Sequence, residues 1–124
     1  MYAVKKPRVL VVDDEQVIAD TLAKILDLNG YEASAVYTGT AAVESARSLR
    51  PDLIISDVIM PDMDGIQAAI KIRSFLPDCK ILLFSGQAAT ADLLEKSRRD
   101  GHDLHLLSKP VHPADLLAAI KTLE

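Results

Sequence analysis

Asp13-Asp14, Asp57, Ser85 and Lys109 are the side chains in this sequence whose types and spacing could do chemistry together. They lie far apart in the chain, yet each follows a short apolar run. Val9-Leu10-Val11-Val12 precedes Asp13, Leu53-Ile54-Ile55-Ser56 precedes Asp57, and Ile81-Leu82-Leu83-Phe84 precedes Ser85. Leu104 to Leu107 precede Ser108-Lys109-Pro110. Brought to one place, these ends would supply three carboxylates, a hydroxyl and an ammonium. Two unit charges about 4 Å apart repel by roughly 4 kcal/mol at an effective dielectric of about 20. Something positive must compensate. Lys109 supplies one charge, and an all-oxygen ligand set favours Mg²⁺ for the remainder. Phosphoryl transfer needs an in-line oxygen nucleophile, a cation on the equatorial oxygens and positioned donors. A carboxylate can be that nucleophile, and Asp57 is the best candidate because it stands alone beside the acidic pair.

Taken singly, each residue has a bland explanation. Asp13-Asp14-Glu15 could cap a helix and complement its dipole. Asp57 could be a solvated loop carboxylate, Lys109 an exposed loop lysine, and Ser85 a turn hydroxyl. Independent surface residues, however, need not fall at four strand ends on one edge. Asp62-Met63-Asp64-Gly65 invites a calcium-loop reading, but aligning Gly65 with the loop glycine places Met60 and Lys71 at ligand positions one and twelve. His102, His105 and His112 are close in sequence, but strand and turn geometry would spread them. The glycines stand singly, which argues against a Walker or dinucleotide phosphate loop.

The elements that must position these residues alternate along the chain. Arg8 to Val12 is continuously apolar after its first residue, as in a strand buried on both faces. Val17, Ile18, Leu22, Ile25 and Leu26 recur at helical spacing before the Asn29-Gly30 stop. Glu32 to Val36 reads as an edge strand, and a helix opens at Thr38-Gly39-Thr40 and closes at Arg50-Pro51. Leu53 to Ser56 is a buried strand, Asp57 to Asp64 a loop, and about Gly65 to Leu76 a helix. Ile81 to Phe84 is the next buried strand. A poorly amphipathic helix runs from Ala88 to Arg99, and Leu104 to Leu107 form the fifth strand. The last helix, Ala114 to Leu123, has Leu116, Leu117, Ile120 and Leu123 on its inner face. Five β-α units predict an α/β fold: a parallel, doubly wound, flavodoxin-like sheet of order 2-1-3-4-5. A closed barrel of eight units needs roughly 250 residues and is excluded. In such a sheet, ligands bind beyond the carboxyl ends of strands 1 and 3, where Asp13, Asp14 and Asp57 fall.

Composition agrees with one domain: 124 residues, 49% of them apolar, with net charge −4. No Lys/Arg run exceeds two residues, so direct nucleic-acid binding by this domain is not expected. Cys79 is the sole cysteine, which rules out an intramolecular disulfide and suits a reducing cytoplasm. No apolar run is long enough for a membrane span. Residues 1–7, without the apolar stretch of a secretory signal, are expected to be a disordered lead-in to a domain over 8–124.

These residues resemble the receiver domain of two-component response regulators, similar to the chemotaxis response regulator family. Val11-Val12-Asp13-Asp14-Glu15, Asp57-Val58-Ile59-Met60-Pro61-Asp62-Met63-Asp64-Gly65, Ser85 and Lys109-Pro110 match its four signatures in order, from about Arg8 to Leu123. The resemblance implies that Asp57 accepts a phosphoryl group from a histidine kinase or phosphotransfer protein. It implies that Asp14, Asp57 and the main-chain carbonyl of Ile59 hold Mg²⁺, with Asp13 sharing the metal or acting through water. Ser85 would hydrogen-bond the phosphoryl group, Lys109 would pair with its charge, and a cis Lys109-Pro110 bond would aim the lysine inward. The chain would catalyse only its own phosphorylation and dephosphorylation. The helix after strand 4 would then shift, and helix 4, strand 5 and helix 5 would form a partner or homodimer surface.

The family usually carries an aromatic switch residue three positions before its lysine. Leu106 stands there, and a bulge in a segment one residue longer than usual could put His105 in that place. Val111 replaces a frequent phenylalanine. These departures keep open an alternative, a receiver-like binding module that works without phosphorylation. A phosphatase would need a general acid where Ile59 stands, and a flavin protein would need a hydroxyl-rich loop where Asp13-Asp14 stand.

Overall fold

In the computed structural model, the described residues are 6–86, 90–99, 101, 104–108 and 112–123. Strands and helices alternate: β1 Arg8–Val12, α1 Gln16–Leu28, β2 Glu32–Val36, α2 Gly39–Leu49, β3 Leu53–Asp57, α3 Gly65–Phe75, β4 Lys80–Ser85, α4 Thr90–Arg99, β5 His105–Ser108 and α5 Pro113–Leu123. The strands pair in parallel in the order β2-β1-β3-β4-β5, as expected.

The apolar runs are continuous because alternate residues feed two cores. Leu10, Val12, Ile54, Ile81 and Leu83 pack with Ala42, Ala46, Ile66, Ala69 and Ile72 of α2 and α3. Val9, Val11, Leu53, Ile55, Leu82 and Phe84 pack on the other face with Ala19, Leu22, Leu26, Leu116 and Ile120 of α1 and α5. Each fully buried Leu or Ile contributes about 1.5–3 kcal/mol. β2 lies at the edge and is half-exposed, which is why its sequence pattern is weaker.

Three strands and one helical residue differ from the sequence reading. β3 runs one residue further, so Asp57 is paired with Phe84 as a strand residue rather than sitting in the loop. β5 begins at His105, leaving Leu104 just outside it but buried. β4 gains a residue at each end, Lys80 and Ser85. In α1 the helical spacing included Val17, yet Val17 is 78% exposed. In the first turn of α1 it is Ala19, not Val17, that packs into the core against the sheet. The expected lead-in falls largely outside the described residues, but the Pro7 carbonyl already accepts the Glu32 N–H at 2.9 Å. The expected start of α4 at Ala88 also lies outside them.

Helix termini follow local chemistry. Thr38 caps α2 by accepting from the Ala41 N–H at 3.0 Å, and Asp64 caps α3 by accepting from the Gln67 N–H at 2.8 Å. Gly30, at φ 94, ends α1, and Arg50 closes α2 in the left-handed region at φ 48, just before Pro51.

Candidate functional site

Parallel pairing aligns Val12 with Ser56, so the residues that follow, Asp13 and Asp57, emerge side by side at the carboxyl ends of β1 and β3. The Asp13 N–H bonds the Val36 carbonyl at 3.2 Å and the Val58 N–H bonds the Phe84 carbonyl at 3.2 Å, so the sheet grips both exits. Asp13 is fully buried, Asp57 is 6% exposed and Asp14 faces solvent. Each offers a carboxylate oxygen, and the three oxygens lie within 4.8 Å of one another.

The helix-cap explanation of Asp13-Asp14 does not hold. The N-cap of α1 is Glu15, whose side chain makes no capping bond. Asp13 Oδ1 accepts instead from the Glu15 N–H at 2.9 Å, a turn that keeps its carboxylate at the strand end. Asp57 Oδ1 accepts a long bond, 3.4 Å, from the Ile59 N–H, which places the Ile59 main chain beside the acids.

Two further residues fix Asp57, and neither was given that role from sequence. The Ser56 hydroxyl donates to the Asp57 carbonyl at 2.9 Å. Gly65, the first residue of α3, lies so close that a β-carbon there would stand 2.2 Å from the same carbonyl oxygen. The glycine was visible in the sequence motif, but its reason, close approach of a helix start to the nucleophile candidate, is tertiary. Elsewhere in the same loop, Asp62 binds the N-terminus of α2 through the Gly39 N–H at 3.2 Å, the Thr40 N–H at 2.9 Å and the Thr40 hydroxyl at 2.7 Å. Those donors, led by Thr40, hold the Asp62 carboxyl down to about 2.

Ser85 is buried at the end of β4, one residue beyond the Phe84 that pairs with Asp57. Lys109 lies outside the described residues, as does Pro110. The β5 ladder runs without interruption from Leu82↔His105 to Ser85↔Ser108, with no bulge in the strand. Leu106 is therefore half-buried against the core under α3, whereas His105 is exposed. Of the two switch candidates, it is Leu106 that faces the packed interior. His112 is exposed as well.

Chemically, the cluster is a set of oxygen donors, two of three buried, in mutual repulsion. That donor set fits a hard divalent cation of the Mg²⁺ class, which takes few protein carboxylates. A cleft of about 650 Å³ lies at the opposite edge of the sheet, lined by Pro7, Tyr31, Arg50, Asp52, Cys79 and Lys80 among others, and contains none of the acids. Burial pushes the Cys79 thiol there up to about 11, so it is a poor nucleophile.

The sequence matches the family model of the response regulator receiver domain over residues 9–121. It is 33% identical over 120 residues to the transcriptional regulatory protein PrrA of Mycobacterium leprae, a match covering 97% of this chain and 51% of that protein. It is 32% identical over 115 residues to the probable transcriptional regulatory protein TcrX of Mycobacterium tuberculosis, covering 93% of this chain and 48% of that one. The chain thus spans about half the length of the curated relatives it matches. Among solved structures, chemotaxis protein CheY4 of Vibrio cholerae superposes with a TM-score of 0.86 at 29% identity, covering 97% of this chain and 100% of that one. A CheY-like receiver domain protein of Methanospirillum hungatei superposes at 0.85 and 30% identity, over 95% and 93% of the two chains. A match that runs from Val9 to Lys121, through the whole sheet that brings the three acids together, makes the chain a member of the response regulator receiver domain family.

Proposed function

We propose that Asp57 is the phosphoacceptor of this receiver domain, taking its phosphoryl group from a phosphohistidine on a sensor histidine kinase or phosphotransfer protein. The observation that carries this is the convergence of Asp13, Asp14 and Asp57 oxygens within 4.8 Å at the ends of adjacent strands. An Asp57 carboxylate oxygen attacks phosphorus, the P–N bond to the donor histidine breaks, and the imidazole nitrogen leaves with the electron pair. Hydrolysis by water returns the carboxylate and inorganic phosphate, so the chain acts catalytically only on itself.

Asp13, Asp14, Asp57 and the Ile59 carbonyl would hold Mg²⁺. When bound, the ion supplies positive charge to the acids and to the equatorial phosphoryl oxygens. The fixed Asp57 carbonyl keeps the nucleophile aligned, and the Ile59 N–H orients its second oxygen. Ser85 receives the phosphoryl group by hydrogen bond, and Lys109 pairs with its charge. Of α4, Asp92, Glu95, Lys96, Arg98 and Arg99 are all exposed, which suits an element that moves at low cost. Its displacement, with Leu106 repacking, changes the α4–β5–α5 face that meets a partner or a second copy. No helix among the described residues is long and apolar enough to cross a membrane. With the sole cysteine reduced and buried, we place the domain in the cytoplasm, acting on proteins rather than on nucleic acid.

Labelling by acetyl phosphate tests the assignment. Wild-type protein should become phosphorylated only with Mg²⁺, and Asp57→Asn should abolish labelling. Equal labelling of that variant would remove Asp57 from the role.

A further inference from the structure

The segment from Val58 to Asp64 is held firmly at its ends. The Gly65 N–H bonds the Val58 carbonyl at 2.8 Å, and Val58 is itself tied to Phe84. Ile59, which lies between, is poorly held by its own contacts. Its side chain is 45% exposed and its bond to Asp57 is long. Its main chain must be held through its neighbours. Met60 is buried in the core under α2 and α3. Asp62 reaches out of the segment altogether and clasps the start of α2.

That clasp is specific. The first four N–H groups of a helix lack partners within it. In α2, the Ala42 N–H makes the first bond of the helical ladder, to the Thr38 carbonyl, and the Ala41 N–H goes to the Thr38 hydroxyl. The two N–H groups before these, those of Gly39 and Thr40, go to Asp62, 23 and 22 residues away in sequence. Gly39 is seated directly against the same segment, where a β-carbon would stand 2.7 Å from the Met63 carbonyl oxygen. Charge favours the contact too, a carboxylate at the positive end of a helix.

Building on the reading of Asp57 and its metal, we propose that Asp62 is a positioning residue. By clasping the N-terminus of α2 it fixes the 58–64 segment, and so holds the Ile59 carbonyl where it completes the metal site with Asp13, Asp14 and Asp57. Asp62 touches neither metal nor phosphoryl group. It acts through the backbone of its segment.

Calorimetric titration of the 124-residue chain with MgCl₂ tests this on four proteins. Asp62→Ala should weaken Mg²⁺ binding by about tenfold, the loss usual when a residue that orients a ligand is removed. Thr38→Ala removes a different α2 cap, loosening the helix without touching the segment, and should leave Mg²⁺ affinity unchanged. Asp62→Asn keeps one acceptor oxygen and should fall between Asp62→Ala and wild type. In acetyl phosphate labelling, the Asp62→Ala deficit should vanish at saturating Mg²⁺, since the half-saturating concentration moves and the plateau does not. Unchanged Mg²⁺ affinity in Asp62→Ala, or equal losses in Asp62→Ala and Thr38→Ala, overturns the proposal while leaving Asp57 in its role. Wild-type protein that bound no Mg²⁺ would instead overturn the reading of the acid cluster, and this proposal with it.

Discussion

An alanine at position 65 would put a β-carbon 2.2 Å from the Asp57 carbonyl oxygen and 3.1 Å from Ser56 Oγ. Backbone stands in the way, so either α3 or the end of β3 must move. Gly65→Ala should cost about 1–3 kcal/mol in urea denaturation, the usual range for overpacking, and should also slow phosphoryl labelling, because the displaced atom belongs to the nucleophile. Asp62 carries a second residue-scale expectation. Its carboxyl is held at about 2 against an ordinary 3.8, so it binds a proton less readily in the folded chain than in the unfolded one. Its stabilisation is then complete above 3.8 and is lost as pH falls from there through about 2. The melting-temperature gap between wild type and Asp62→Asn should be constant from pH 7 to about 5 and close as pH approaches 2; a gap that widens in acid would contradict the assignment. Asp13, Asp14 and Asp57 were legible from sequence because each ends an apolar run. Asp62 was not, because its partners, Gly39 and Thr40, lie on an element that the sequence does not show to be adjacent. Ser56 was read only as a strand residue, and its hydroxyl bond to Asp57 depends on a rotamer.

Helices and strands differ in how clearly the sequence announced them, and packing explains why. β1, β3 and β4 have helices on both faces, so nearly all their residues are apolar and their runs stand out. β2 has an open edge, and β5 begins with exposed His105, so their patterns are diluted. Val17 misled because an apolar residue can lie off the buried stripe, which in α1 is Ala19, Leu22, Ala23 and Leu26. The choice between Leu106 and His105 needed the register of β5, which no local pattern supplies. Between helices, α2 and α3 meet through Arg47, whose guanidinium lies 4.2 Å from the centre of the Phe75 ring. Both side chains are at least partly exposed, so Arg47→Ala should cost about 0.5–1 kcal/mol in chemical denaturation. It should leave labelling of Asp57 unchanged, since α2 stays docked through Asp62 at its other end. A labelling defect in Arg47→Ala would mean that the whole α2–α3 contact, not the Asp62 clasp, aligns the site.

The molecule as a whole separates its stability from its chemistry. Two apolar cores flank the sheet, and the acids are gathered at one edge, where the strands end. Without a divalent cation, repulsion among the three acids works against folding. Two unit charges within 4.8 Å of one another repel by about 3 kcal/mol or more at an effective dielectric of about 20, and solvent weakens the share of exposed Asp14 most. Replacing one buried acid by its neutral isostere should therefore stabilise the metal-free protein while removing its ability to be phosphorylated. Asp57→Asn should melt above wild type in the presence of a chelator. Mg²⁺ should reverse the order: a ligand at about 100 times its dissociation constant stabilises the form that binds it by about 2.7 kcal/mol, and wild type, with all three acids, gains most. Thermal melts of both proteins, each in chelator and in excess Mg²⁺, measure the crossover directly. If Asp57→Asn melts below wild type in chelator, the three carboxylates are already neutralised by the protein itself. The fold would then have no electrostatic need of a metal at that edge.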